Sequence, residues 1–171
     1  MTFYSRAEWG ARARQPGPGL LTPSRVRGIA LHWPAMKGRL DTVAEVKAAL
    51  RSWQTYHIDG HGWSDIAYQR AVDQLGNTYQ LRGFRHQSAA NGDTEQNETY
   101  GALLLVLAIG EKPTEALIRA TRREVGVFRD RFPKATRIVG HQDIRPEPTS
   151  CPGPAVMGLI HAGRFRPQRG S

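Results

Sequence analysis

With 171 residues, 39% of them apolar and 23% charged, the chain has the size of one folded domain and too many core-forming residues for a disordered segment. Its longest apolar run, Ala102 to Ile109, falls far short of the roughly 20 residues of a membrane-spanning helix, and the opening Met1-Thr2-Phe3-Tyr4-Ser5-Arg6 lacks the apolar stretch of a signal peptide. The net charge of +9 is concentrated in a basic N-terminal arm (about residues 1–25) and an Arg-rich tail (about 163–171), which favours an anionic partner: nucleic acid, a membrane surface or a cell wall.

After the Gln15-Pro16-Gly17-Pro18-Gly19 turn, the run from Val26 to Trp33 has the composition of a buried strand and stops at Pro34. Thr42 with Glu45 three positions on forms a capping box, and Val43, Val46, Leu50 and Trp53 share one face of a helix that runs to about Tyr56. Past a loop with Gly60 and Gly62, the segments Ile66–Val72 and Thr78–Leu81, joined by the Asp73–Asn77 turn, read as a hairpin that carries Tyr68 on its first strand. Residues 85–99 are polar and read as a long surface loop, whereas Ala102 to Ile109 suits a strand near the sheet centre, covered on both faces. Pro113-Thr114 starts a second helix with Leu117, Val125, Phe128 and Phe132 on one face, ending at Pro133. A last short strand, Arg137-Ile138-Val139-Gly140, precedes His141, and a short helix follows near Ala155 to His161. The order β, α, β, β, β, α, β predicts a single α/β domain over 1–171 with a central mixed sheet flanked by helices.

Six histidines and one cysteine carry the candidate chemistry. A single cysteine cannot form an intrachain disulfide, so Cys151 is either a buried structural thiol or a ligand. His32 and His141 each fall at the end of a predicted strand, where side chains converge on clefts, and Cys151 lies ten residues beyond His141. Zinc accepts this ligand type tetrahedrally, and three protein ligands leave the fourth position open, the arrangement of a catalytic site. Spacing alone does not distinguish such a triad from three unrelated side chains.

The surrounding motifs do. Ser5-Arg6-Ala7-Glu8-Trp9-Gly10-Ala11, Trp63-Ser64-Asp65-Ile66-Ala67-Tyr68, Val72-Asp73-Gln74-Leu75-Gly76-Asn77-Thr78-Tyr79, Arg131-Phe132-Pro133, Gly140-His141-Gln142-Asp143 and Thr149-Ser150-Cys151-Pro152-Gly153 follow one another along most of the chain. In that order they resemble the zinc amidases shared by phage lysozyme-type endolysins and peptidoglycan recognition proteins. The resemblance implies a peptidoglycan recognition protein-like α/β amidase fold and an N-acetylmuramoyl-L-alanine amidase activity, hydrolysing the amide between the lactyl group of N-acetylmuramic acid and L-alanine of the stem peptide. It also implies one Zn²⁺ per chain on His32, His141 and Cys151, with Tyr68 and Thr149 as catalytic residues that donate hydrogen bonds to the oxyanion or orient the water. No proton donor to the leaving amine stands out.

Trp33, Arg82 and Asn91 fall at positions that the resemblance places along the substrate groove, and Asp143 and Arg145 would support the His141 loop. His57, His61, His86 and His161 match no ligand position. The chain departs from the family at Trp33, where His or Cys is common, and at Gln142, where Arg is common. Relatives that lack the cysteine bind cell wall without cutting it, so Cys151 favours the enzymatic branch over a catalytically silent peptidoglycan-binding module. The expected partner is bacterial peptidoglycan, with the basic termini against an anionic wall or membrane. Nucleic acid is not expected, because no groove-reading motif is present. A monomer is expected, held in a phage-infected host's cytoplasm until a holin releases it to the wall as an endolysin.

Overall fold

The apolar run near the middle of the chain becomes β5 (Tyr100–Val106), buried along its whole length, in a computed structural model that describes residues 1–168. Two further strands, β2 (Gly28–His32) and β3 (Arg70–Asp73), pair with it in parallel on either side. β4 (Thr78–Gln80) lies antiparallel to β3, β6 (Arg137–Gly140) parallel to β2, and β1 (Phe3–Tyr4) parallel to β4. The order β1-β4-β3-β5-β2-β6 makes one mixed six-stranded sheet.

Alternation along β5 explains the helices on both faces. Leu103 and Leu105 point to the side of α4 (Glu115–Arg131) and α5 (Pro154–His161), packing with Val125, Phe128 and Val156. Leu104 and Val106 point to the other side, where α1 (Arg6–Trp9) and α2 (Val43–Thr55) contribute Trp9, Val46 and Leu50. A strand covered twice has no polar face to show, which is why it reads as a continuous apolar run. The expected α/β class and the near-central strand are both found. No helix among the described residues is long and apolar enough to cross a membrane.

Four expectations change. The basic N-terminal arm is part of the fold: β1 joins the sheet, and α1 is closed by a capping box between Ser5 and Glu8 and buries Trp9 completely. The loop over 85–99 contains α3 (Thr94–Thr99), capped by the Asp93 side chain, which accepts from Gln96 N. A helix of TEQNET has no apolar stripe to read, so periodicity does not reveal it. The hairpin strand starts at Arg70, so Tyr68 lies on irregular chain before β3. Helix α2 runs on into a π-helical turn, Tyr56–Gly60, in place of the expected loop. Of the Arg-rich tail, residues 169–171 lie outside the described residues.

Candidate metal centre

In the parallel pair β2 and β6, Leu31 stands opposite Gly140, so the next residues, His32 and His141, leave the sheet side by side. Alternation turns Ile29 and Leu31 into the α4-side core and His32 to the opposite face. The two imidazole centroids are 4.5 Å apart, and both residues are buried, at 1% and 8% exposure.

The loop after His141 brings in the third group. Gln142 N donates to Cys151 O at 2.9 Å, Gly153 N to Ser150 O at 2.6 Å, and Cys151 N to the Thr149 hydroxyl at 3.2 Å. Gly153 adopts φ +89°, and a Cβ there would stand 2.7 Å from the Trp33 ring, so only glycine closes this turn beside Trp33. Asp143 accepts from Gly140 N at 2.8 Å and steadies the turn that carries His141, as expected of it. Arg145 acts through charge: it adds to the burial that lowers the His141 pKa and partly offsets the burial that raises that of Cys151.

One ligand-type atom from each of His32, His141 and Cys151 lies within 4.8 Å of the others. The Cys151 Sγ to His32 Nδ1 distance is 3.8 Å, close to the edge of about 3.6 Å that ordinary Zn–S and Zn–N bonds span in a tetrahedron. His141 Nε2 is buried without a hydrogen-bond partner, an uncompensated atom that a cation would satisfy. Burial pushes the His32 pKa down to about 3, helped by the charge of His141, and that of His141 down to about 4, so both rings present lone pairs at neutral pH. Burial also raises the Cys151 thiol to about 11, so a metal must displace its proton. The donor set fits a metal ion.

Asn91 occupies a different place from the groove position inferred for it. It is fully buried, and its Oδ1 lies 2.8 Å from His32 Nε2, while its Nδ2 donates to Gln96 O and Tyr100 O at 3.1 and 3.0 Å. With Nδ2 committed to two carbonyls, the side chain presents its oxygen to His32, which puts the imidazole proton on Nε2 and leaves the Nδ1 lone pair facing Cys151. Asn91 therefore holds the His32 imidazole in place.

Tyr68 stands with its ring centroid 5.4 Å from that of His32, edge-on. Its phenol is shifted upward by burial and by the nearby Cys151 charge, so it remains a proton donor at neutral pH. Arg82 is buried as well, and it lines a cavity together with Ser64 and Asp65. Its guanidinium donates to the carbonyls of Ile66, Asp65 and Gln87, pinning the irregular segment that ends at Tyr68, and burial lowers its pKa to about 10. Trp33 packs its ring over Gly153 and the α4-side core, and its backbone N–H approaches Cys151 Sγ at 3.5 Å. Thr149 spends an oxygen lone pair on Cys151 N and keeps its own O–H to donate.

Sequence reasoning missed two features. Asp65 accepts from Arg6 at 2.7 Å and from Gln54 at 2.7 Å, a buried network that ties α1 and α2 to the Tyr68 segment. Arg6 and Asp65 sit inside the quoted motifs, which is the only signal of it in the sequence. His57, which matches no ligand position, has its centroid 6.1 Å from that of Tyr68. It accepts from Ala67 N at Nδ1, and burial holds its pKa down at about 4. His61 and Trp63 stack at 4.5 Å beside it. His86 and His161 lie elsewhere: His86 pairs with Arg14, and His161 ends α5.

No family model matches the chain. It is 29% identical over 162 residues to the N-acetylmuramoyl-L-alanine amidase of Sus scrofa, covering 92% of this chain and 26% of that protein, so it spans about a quarter of the relative's length. Its fold superposes on Drosophila PGRP-LB with a TM-score of 0.84 at 20% identity, covering 100% of this chain and 99% of that one. It also superposes on peptidoglycan recognition protein-LE in complex with tracheal cytotoxin, with a TM-score of 0.82 at 23% identity over 94% and 92% of the two chains. Sequence likeness to an amidase and fold likeness to recognition proteins agree with the ordered motifs: this chain is similar in sequence to N-acetylmuramoyl-L-alanine amidases and has the fold of peptidoglycan recognition proteins.

Proposed function

We propose that the chain is a zinc-dependent N-acetylmuramoyl-L-alanine amidase that releases stem peptides from bacterial peptidoglycan. The observation that carries this reading is the convergence of one ligand-type atom each from His32, His141 and Cys151, with Cys151 Sγ facing His32 Nδ1 and Tyr68 against His32. A bound zinc ion supplies Lewis acidity to a water molecule and to the scissile carbonyl. Asn91 holds His32 in the tautomer that can ligate, and the neutral rings need no deprotonation. Tyr68, kept protonated, donates a hydrogen bond toward the negative charge that develops on the carbonyl oxygen, and the Thr149 hydroxyl is a second donor at the same loop. The solved relative that holds tracheal cytotoxin, a monomeric diaminopimelic acid-type peptidoglycan, supports a cell-wall substrate.

The +9 charge supports contact with an anionic wall, and a lytic phage endolysin, freed from the host cytoplasm by a holin, is the biological role we assign. The test is incubation with purified peptidoglycan, with and without chelator, followed by mass spectrometry for free peptides beginning with L-alanine. Chelator-sensitive release is expected, and Tyr68→Phe should lower its rate about 100-fold to 1,000-fold while zinc content stays at one per chain. Binding to the wall without any cleavage would replace the enzyme by a binding module, and cleavage between sugars would sink the assignment.

A further inference from the structure

We propose that the outer face of α4 is a docking surface for a linear phosphodiester polymer, a polyol phosphate of the cell wall. Arg119, Arg122 and Arg123 recur, with Gly126 and Asp130, at the three- and four-residue spacing of one helix face, and together with Pro167 they line a groove of about 530 Å³. The opposite face of the helix is committed, with Leu117, Ile118, Val125 and Phe128 buried in the core. The acids of α4 leave the three arginines uncompensated. Glu115 pairs with Arg164, Glu124 turns inward to Arg70, and Asp130 lies about 10 Å along the helix axis from Arg123. None of Arg119, Arg122 and Arg123 is ion-paired with a carboxylate among the described residues. Like charges one helical turn apart repel, and a polyanion laid along them removes that repulsion.

The C-terminal segment forms the second wall. Arg122 Nε donates to Arg164 O at 3.1 Å and Arg164 reaches Glu115 at 2.8 Å, which docks this segment alongside α4. Arg119 and Arg123 are exposed, and Arg122 keeps the donors of its two terminal nitrogens. Arginine's planar fork matches phosphate oxygens bidentately. The chemistry of the groove selects among polyanions. A helix lying in a membrane surface buries an apolar face in it, but the apolar face of α4 is spent on the core. Single-stranded nucleic acid is gripped by aromatic rings that stack on its bases, and no aromatic side chain lines the groove among the described residues. A base-free chain of phosphates requires only charge along a track. α4 covers the sheet face opposite that of His32, so the polymer and a substrate at the metal centre occupy different sides of the molecule. The choice of a wall polymer rests on the proposed cell-wall substrate, whereas the basic groove itself does not.

The test follows binding of a fluorescently labelled glycerol phosphate oligomer to the full chain by anisotropy, across a range of salt concentrations. The double variant Arg119→Gln, Arg123→Gln should weaken binding at least about tenfold and reduce the salt dependence by about one phosphate contact per arginine. The double variant Lys37→Gln, Arg39→Gln removes the same charge from the exposed loop after β2 and should stay within about twofold, which separates a local surface from the net charge of the molecule. Because phosphate oxygens also ligate zinc, the titration is repeated on Cys151→Ser, in which oligomer binding should persist. Vesicles of anionic phospholipid and duplex DNA, matched in phosphate concentration, should bind more weakly than the oligomer. The proposal is overturned if the Arg119→Gln, Arg123→Gln variant, with a melting curve matching the parent, keeps its affinity or loses no more than the Lys37→Gln, Arg39→Gln control. It is also overturned if oligomer binding disappears with Cys151→Ser, or if vesicles or DNA bind as tightly as the oligomer. Failure of the amidase reading shows separately, as absence of peptide release by the parent protein.

Discussion

Replacing Asn91 with alanine separates a residue that touches substrate from one that holds a ligand. The substitution removes the oxygen that accepts from His32 Nε2 at 2.8 Å, and with it the two donations to Gln96 O and Tyr100 O, all in a fully buried setting. Loss of the partner behind a metal-ligating histidine typically costs about 10-fold to 100-fold in metal affinity, or about 1.4–2.7 kcal/mol. The stranded imidazole N–H and two under-served carbonyls add about 2–4 kcal/mol of destabilisation. A domain with about 5–15 kcal/mol to lose still folds, so the affinity remains measurable. Zinc affinity would be read by competition with a chromogenic chelator, and stability by thermal melting with and without metal. The weaker zinc binding of Asn91→Ala should appear as a fall in metal occupancy at limiting zinc, with the rate per bound zinc reduced less. If zinc affinity stays within about twofold of the parent while the Michaelis constant for peptidoglycan rises, Asn91 is a groove residue and the positioning argument fails.

In the metal-free protein, His32 and His141 are neutral in the fold, with pKa values of about 3 and 4 against 6.5 for an exposed histidine. The unfolded chain binds more protons below pH 6.5, so stability is highest above that value and declines as pH falls toward 4, with His32 alone accounting for about 3 kcal/mol at pH 4; a flat melting temperature between pH 7 and 4 in chelator would refute this. Zinc binding near pH 7 should release about one proton, from the Cys151 thiol held at about 11, because the histidines are already neutral. Calorimetry in buffers of different ionisation enthalpy counts it, and release near zero would mean that the thiolate preexists. Asp65→Ala leaves Arg6 partly buried without its carboxylate and should cost about 3 kcal/mol, with cleavage falling as Tyr68 loses its anchored segment; unchanged melting would remove the network from the argument.

Local chemistry made much of the fold legible. The Thr42–Glu45 capping box, the one-sided faces of α2 and α4, and the apolar run of β5 each state their structure within a few residues, because caps and periodicity are short-range. The grouping of His32, His141 and Cys151 was legible too, though only through the order of the motifs around them. α3 was illegible because its polar helix is specified by a cap and by docking against β5. β1 was illegible because a two-residue strand exists only where β4 is there to pair with it.

What the tertiary structure alone decided is which contacts the side chains around the candidate metal centre make. Chain position brought Arg82 and Asn91 near the groove, but their donors and acceptors are spent on the Tyr68 segment and on His32, and Trp33 is spent on packing Gly153. A buried polar group must find its partners wherever the fold places them, and those partners lie up to 59 residues away for Asn91 and 59 for Asp65 with Arg6. Sequence determines that His32, His141 and Cys151 are there to be used; only the parallel register of β2 and β6 and the turn at Gly153 bring their ligating atoms within reach of one ion.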